Sequence, residues 1–254
     1  MRKSLVAGNW KMNMTVAETV AYFAAGQLDL PAEYAKVDVA IIPPFTALAA
    51  ARLECEKRGL LLGAQNCHPQ PSGAFTGEIS ADFLKELGCS HVLCGHSERR
   101  ALFQEGEVFV AEKVRRALDA GLQPIVCIGE TLEERQAGHT ERKLDKQLTP
   151  VLKLIKRDEV RKLVVAYEPV WAIGTGLNAD PMDVEIEFVN LRDLVGHHGV
   201  ASIDVRMLYG GSVSAENAAA FAARPSIDGV LVGGASLKPD VFRAIVDAFA
   251  RAKK

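Results

Sequence analysis

Short apolar runs rich in β-forming residues recur eight times along this chain, and a helical pattern follows each one. They are Leu5–Ala7, Val37–Ile42, Leu60–Leu62, His91–Cys94, Pro124–Ile128, Leu163–Ala166, Val205–Leu208 and Gly229–Val232. The period is roughly thirty residues, the size of one βα unit. Asp38, His91 and Arg206 apart, the runs are apolar, as parallel strands buried on both faces are. Eight such units in 254 residues predict an α/β chain, a (β/α)8 barrel forming one domain over residues 1–254. An open doubly wound sheet is the alternative. Against it, no GxGxxG follows the first run and no P-loop appears. No Pro/Ser-rich linker and no break in composition divides the chain.

The helical segments carry their own punctuation. Val110, Val114, Ala117 and Leu118 share one helical face, as do Val184, Phe188, Leu191 and Val195. Thr15 with Glu18, and Thr131 with Glu134, have capping-box spacing. Asp180 before Pro181 reads as an N-cap and first helical position. Gly59, Gly88 and Gly121 each stand where a helix must turn left-handed before the next strand.

Hydrophobic residues make up 48% of the chain, enough for a substantial core, and the formal net charge is −2. That balance offers nothing to nucleic acid or an anionic membrane, so an anionic ligand must be held by local features. No apolar stretch is long enough to span a bilayer. The start, MRKSLVAGNWKMN, has no signal-peptide pattern and reads as a first strand, so a cytoplasmic location is expected. Five cysteines (Cys55, Cys67, Cys89, Cys94, Cys127) lack CxxC spacing and read as buried thiols rather than disulfides or zinc ligands.

In a barrel, the residues just past each strand converge on one mouth. Past the sixth run stands Glu168, followed by Pro169, then the apolar Val170-Trp171-Ala172-Ile173 and Gly174-Thr175-Gly176. Pro169 bars Glu168 from continuing into a helix. An apolar flap with a glycine end beside a carboxylate suggests a lid that excludes water. Alone, the glutamate would fit an ordinary salt bridge. Past the first run come Asn9 and Lys11, a cation that is either a surface charge or an anion anchor. Past the fourth come His96, Ser97, Glu98, Arg99 and Arg100. His96 would open a short helical turn, where a positive dipole end disfavours protonation. The last two runs end in Gly210-Gly211-Ser212 and Gly233-Gly234. These are plain turn residues or, in such a barrel, a phosphate cradle of bare N–H groups.

One base, one neutral electrophile, one cation and one phosphate cradle suit proton abstraction beside a carbonyl of a small phosphorylated sugar. No metal-ligand cluster or cofactor fingerprint is evident, so neither metal nor cofactor is expected.

The segments AGNWKMN, GAQN, SGAFTGEIS, GHSERR, AYEPVWAIGTG, YGGSV and LVGGASL, in this order, resemble triosephosphate isomerases over essentially the whole chain. The resemblance implies a TIM barrel that interconverts dihydroxyacetone phosphate and D-glyceraldehyde 3-phosphate without a cofactor. It implies Glu168 as the base, His96 as the electrophile and Lys11 with Asn9 as the electrostatic anchor. Glu98 resembles the carboxylate that contacts the lysine. Gly174, Ser212, Gly233 and Gly234 match the phosphate-binding backbone. The glutamate base, the neutral histidine and the moving loop of these enzymes are standard examples of their chemistry.

The loop from Ser72 to Glu78 resembles one that enters a second subunit, which implies a homodimer with Gln65, Thr76 and Glu78 at the interface. Arg99 and Glu105 would belong to the network supporting it. Two positions depart from the pattern. Leu177 stands where a lysine often follows Gly-Thr-Gly, at the lid's far hinge. Pro69 and Pro71 stiffen the start of the interface loop. Cys127 is expected to pack near Glu168, or to be a small buried hydrophobe. An isomerase for a four-carbon ketose phosphate and a non-catalytic phosphate-binding scaffold are the alternatives.

Overall fold

The computed structural model describes residues 2–173, 179–199 and 201–252. Eight parallel strands close into a barrel in sequence order. They are β1 (Ser4–Asn9), β2 (Val37–Ile42), β3 (Leu61–Ala64), β4 (His91–Cys94), β5 (Gln123–Ile128), β6 (Val164–Tyr167), β7 (Arg206–Tyr209) and β8 (Gly229–Val232). The main helices outside it are α1 (Val16–Ala24), α2 (Leu48–Arg58), α3 (Ala81–Glu86), α4 (Ser97–Leu102), α5 (Glu107–Asp119), α6 (Leu132–Gln136), α7 (Thr140–Leu154), α8 (Pro181–His197), α9 (Ala218–Ala222) and α10 (Pro239–Ala252).

Strand alternation divides the core in two. Leu5, Ala7, Ile42, Leu93, Ile125, Val164, Ala166, Leu208 and Leu231 fill the barrel. Their neighbours Val6, Val39, Ile41, Val92, Val126, Val165 and Val230 face outward into the layer shared with the helices. Each fully buried Leu, Ile or Val contributes about 1.5–3 kcal/mol relative to exposure. Closure falls between Leu5 and Gly229, which are register partners. A Cβ on Gly229 would lie 1.9 Å from the Leu5 carbonyl oxygen, and its φ is +156°, so only glycine fits there.

Several strands run differently from their sequence bounds. β1 extends to Asn9, β3 spans Leu61–Ala64 rather than Leu60–Leu62, and β6 and β7 each sit one residue later than expected. Hydropathy marks where a strand is buried, whereas ladder hydrogen bonds carry Asn9, Tyr167 and Tyr209 to the mouth despite their polar atoms. Thr15 and Thr131 both form capping boxes, and the Asp180 side chain accepts from Met182 N–H at 2.7 Å. Gly59, Gly88 and Gly121 have φ of +65°, +83° and +76°. At the opposite end of the barrel, Arg206 is held by Asp38 (2.9 Å) and Gln123 (3.0 Å) and lies 3.3 Å from His91 Nε2. All five cysteines are buried and unpaired. No helix among the described residues is long and apolar enough to cross a membrane.

Candidate active site

Glu168 follows β6 directly. Its N–H donates to Ile128 C=O at 2.7 Å, so the neighbouring strand end sets where it emerges. Its carboxylate is buried, 1% exposed, among groups that each claim an oxygen. Oε2 accepts from Ser97 N–H at 3.0 Å, and Oε1 lies 3.2 Å from His96 Nε2. Glycines make the room. A Cβ on Gly210 would lie 2.8 Å from Glu168 Cγ, and one on Gly129 would lie 1.8 Å from the Glu168 carbonyl oxygen. Cys127 points into the barrel beside Glu168. Burial, and then the Glu168 carboxylate it meets and hydrogen-bonds, push the Cys127 thiol up.

His96 is the N-cap of α4 and is buried. Its Nδ1 accepts Glu98 N–H at 3.3 Å. A ring that accepts at Nδ1 carries its proton at Nε2, the atom facing Glu168. The short α4 thus turns the imidazole so that an N–H donor faces the mouth.

Lys11 adopts a left-handed φ of +51°, sparsely populated for a residue with a Cβ. Three contacts hold it. Its N–H donates to Asn9 Oδ1 at 3.0 Å, its carbonyl accepts from Gln65 Nε2 at 2.7 Å, and Nζ lies 2.6 Å from Glu98 Oε1. Strain over-determined by local contacts is a mark of functional positions.

These groups line a cavity of about 200 Å³ with Ile173, Gly210, Gly211, Ser212, Leu231, Gly233 and Gly234. That is smaller than the roughly 300–1,000 Å³ of pockets for drug-sized ligands. Gly233 is close enough to Lys11 that a Cβ there would lie 3.5 Å from Lys11 Cε. Ser212 donates both its N–H (3.1 Å) and its hydroxyl (2.6 Å) to Ala172 C=O, tying β7's loop to the root of the apolar flap. Gly174 and Leu177 lie outside the described residues. Among the described residues, no group of three His, Cys, Asp or Glu side chains could hold a metal ion.

Gln65 is half-buried against Lys11, whereas Thr76 and Glu78 are exposed on their loop. That loop packs on itself, with the His68 and Phe75 rings 4.1 Å apart. Pro69 and Pro71 lead into it, partly exposed and exposed respectively. Glu105 is buried and accepts from Arg99 Nε at 2.7 Å.

Two residues of this region carry no sequence motif. Lys113 is fully buried, bonded to Glu105 and to Asn66 Oδ1 (2.7 Å). A lysine three residues beyond Val110 on the apolar face of α5 was the available signal, because such a charge needs a buried partner. Glu130 is also fully buried and accepts from Tyr167 Oη and Trp171 Nε1, both at 3.0 Å. Arg135 stacks over the Trp171 ring at 5.0 Å and lies 3.7 Å from Glu130. The first half of the flap is therefore anchored on one buried carboxylate.

Residues 4–249 match the sequence profile of the family described as triosephosphate isomerase. A curated triosephosphate isomerase of Symbiobacterium thermophilum is 49% identical, with 100% of this chain and 99% of that one aligned. One from Alkaliphilus metalliredigens is 47% identical over 97% of this chain and 100% of its own length. One from Herminiimonas arsenicoxydans is 46% identical over 98% and 100%.

Proposed function

The chain belongs to the triosephosphate isomerase family, and from that premise we propose how its residues interconvert dihydroxyacetone phosphate and D-glyceraldehyde 3-phosphate. Glu168 takes a proton from the carbon beside the carbonyl and returns it to the neighbouring carbon. His96 donates from Nε2 to the carbonyl oxygen, which becomes an enediolate oxygen, and moves protons between the two oxygens. Lys11 stabilises the negative charge as it develops. Gly233 and Gly234 offer N–H groups to the phosphate, joined by Ser212 once its N–H leaves Ala172, and by Gly174 from the lid. Closure of the lid, with Ile173 in the cavity wall, keeps water from an intermediate that could otherwise lose phosphate.

The observation that carries this reading is a buried carboxylate and an Nε2–H donor 3.2 Å apart at the edge of a cavity of about 200 Å³. The small volume suits a three-carbon phosphate. The family assignment does not favour a four-carbon substrate or a silent scaffold.

We also read the chain as a cytoplasmic homodimer. Met12, in the loop after β1, is 95% exposed, Leu102 and Phe103 at the end of α4 are 74% and 63% exposed, and Phe75 is exposed on the loop after β3. Large exposed apolar side chains on the loops beside the strand ends support a surface that another protein covers. In the dimer Thr76 would approach the partner's Asn9 and the partner's Lys11, with Gln65 and Glu78 at the same interface.

Turnover in D2O tests the chemistry. The proton taken up by a carboxylate base can exchange with solvent before it is returned, so the product carries deuterium at the receiving carbon to the extent that exchange competes with return. Complete retention of the substrate's own hydrogen together with wild-type turnover by Glu168→Gln would mean direct hydrogen transfer and would remove Glu168 from this role.

A further inference from the structure

The face of α7 turned toward the barrel is apolar, with Leu144, Leu148, Val151 and Leu152 all buried. Gln147 sits within that seam and is 3% exposed. Burying a carboxamide costs free energy unless it finds a partner, so its contact there is informative. Gln147 Oε1 accepts Gly129 N–H at 2.8 Å.

That N–H belongs to the same peptide plane as the Ile128 carbonyl. The Ile128 oxygen in turn accepts Glu168 N–H at 2.7 Å. One rigid plane therefore carries Gln147 at one edge and Glu168 at the other. Beyond the plane, the bare Cα of Gly129 abuts the Glu168 carbonyl, where a Cβ would come within 1.8 Å. The backbone of Glu168 is thus registered on this peptide at both its N–H and its C=O. Amides bonded at both ends polarise one another, which strengthens the pair.

Packing alone does not fix this peptide. Gly129, Gln147, Cys127 and Glu168 line a second cavity of about 220 Å³ behind the carboxylate. On that side the Gln147 hydrogen bond holds the plane, whose other edge is carried by the ladder bond from Glu168. We propose that Gln147 is a positioning residue for Glu168, acting through the Ile128–Gly129 peptide. The inference rests on Glu168 being the base.

The test compares wild type, Gln147→Met, Glu168→Asp, Glu168→Gln and the double variant Gln147→Met/Glu168→Asp, with kcat and KM for glyceraldehyde 3-phosphate and Ki for inorganic phosphate. Gln147→Met keeps the length of the side chain and removes the acceptor. The expected result is a kcat lower by roughly tenfold to a hundredfold, the scale of a small misplacement of a reacting group. KM and the phosphate Ki should stay within about twofold, because the phosphate glycines stand on other strands. In the Glu168→Asp background the same substitution should cost much less, since the carboxylate is already displaced. Wild-type kcat per folded site in Gln147→Met would overturn the inference, as would an undiminished loss in the double variant. Turnover surviving Glu168→Gln would instead remove the base on which it rests. Where Gln147→Met does not fold, Gln147→Asn, which withdraws the acceptor by one methylene, is read by the same criteria.

Discussion

Glu168 and His96 meet directly: Oε1 of the glutamate lies 3.2 Å from Nε2 of the histidine. The other glutamate oxygen accepts the N–H of Ser97, the next residue along. The proposed base and electrophile therefore occupy each other before a substrate arrives. A ligand carbonyl that takes the His96 donor must displace the carboxylate, and the displaced carboxylate then has the ligand's carbon to face. In the proposed mechanism, one ligand group entering the cavity would set both partners in their roles.

Shortening the base tests that geometry. Glu168→Asp withdraws the carboxylate by one methylene from a site held by His96 and Ser97. We expect kcat to fall by roughly a hundredfold or more with KM changed only a few-fold. A kcat equal to wild type would mean that the carboxylate does not act on the substrate.

The room beside the base can be filled instead. A Cβ at Gly210 would stand 2.8 Å from Glu168 Cγ and 3.4 Å from the Tyr167 carbonyl. Gly210→Ala should lower kcat by about tenfold or more while the far-ultraviolet circular dichroism stays that of wild type. Unchanged steady-state kinetics would show that the side chain of Glu168 moves aside freely.

Lys11 is the cation at the mouth, paired with Glu98 at 2.6 Å. Lys11→Ala should raise KM and lower kcat, because a dianionic substrate loses its counter-charge and the enediolate loses its stabiliser. Its melting temperature should stay close to wild type, since an ion pair this exposed adds little to stability. Near-normal kinetics in a folded variant would exclude the role.

At the far end of the barrel, burial first and the adjacent Arg206 second push His91 down to about 4, with Asp38 partly opposing. Ser90 Oγ, 2.8 Å from Nδ1, and Gln123, through Arg206, complete its surroundings. An unfolded histidine titrates near 6.5. Above that value both states are neutral and His91 has no pH-dependent effect. As pH falls from about 6.5 to about 4, the unfolded state takes up the proton first, and stability is lost. Fully developed, the loss is on the order of 3 kcal/mol. Urea unfolding of wild type and His91→Gln at pH 7.5 and pH 4.5 measures it. The drop between the two pH values should be smaller in the variant, and equal drops would show that His91 does not titrate in this window.

What the sequence made legible follows a pattern. Period and burial announced the barrel, because a strand covered on both faces leaves an unbroken apolar run such as Pro124–Ile128. Caps at Thr15, Thr131 and Asp180 were legible because their partners lie within three residues. Glu168, His96 and Lys11 were visible as chemistry out of place at the ends of apolar runs. Contacts between distant segments were not. Glu130 reaches Trp171 across 41 positions, and Gln147 reaches Gly129 across 18. Closure by Gly229 depends on how closely β1 approaches β8, which no local pattern encodes.

The most direct measurement of the central claim is a coupled assay. Wild type and Glu168→Gln convert glyceraldehyde 3-phosphate side by side, with glycerol-3-phosphate dehydrogenase reporting product through loss of NADH. Glutamine keeps the size of the side chain and cannot take a proton. Fast turnover in wild type, with at least a thousandfold loss in the variant (about 4 kcal/mol of transition-state stabilisation), is the predicted result. Comparable turnover by both proteins would contradict it.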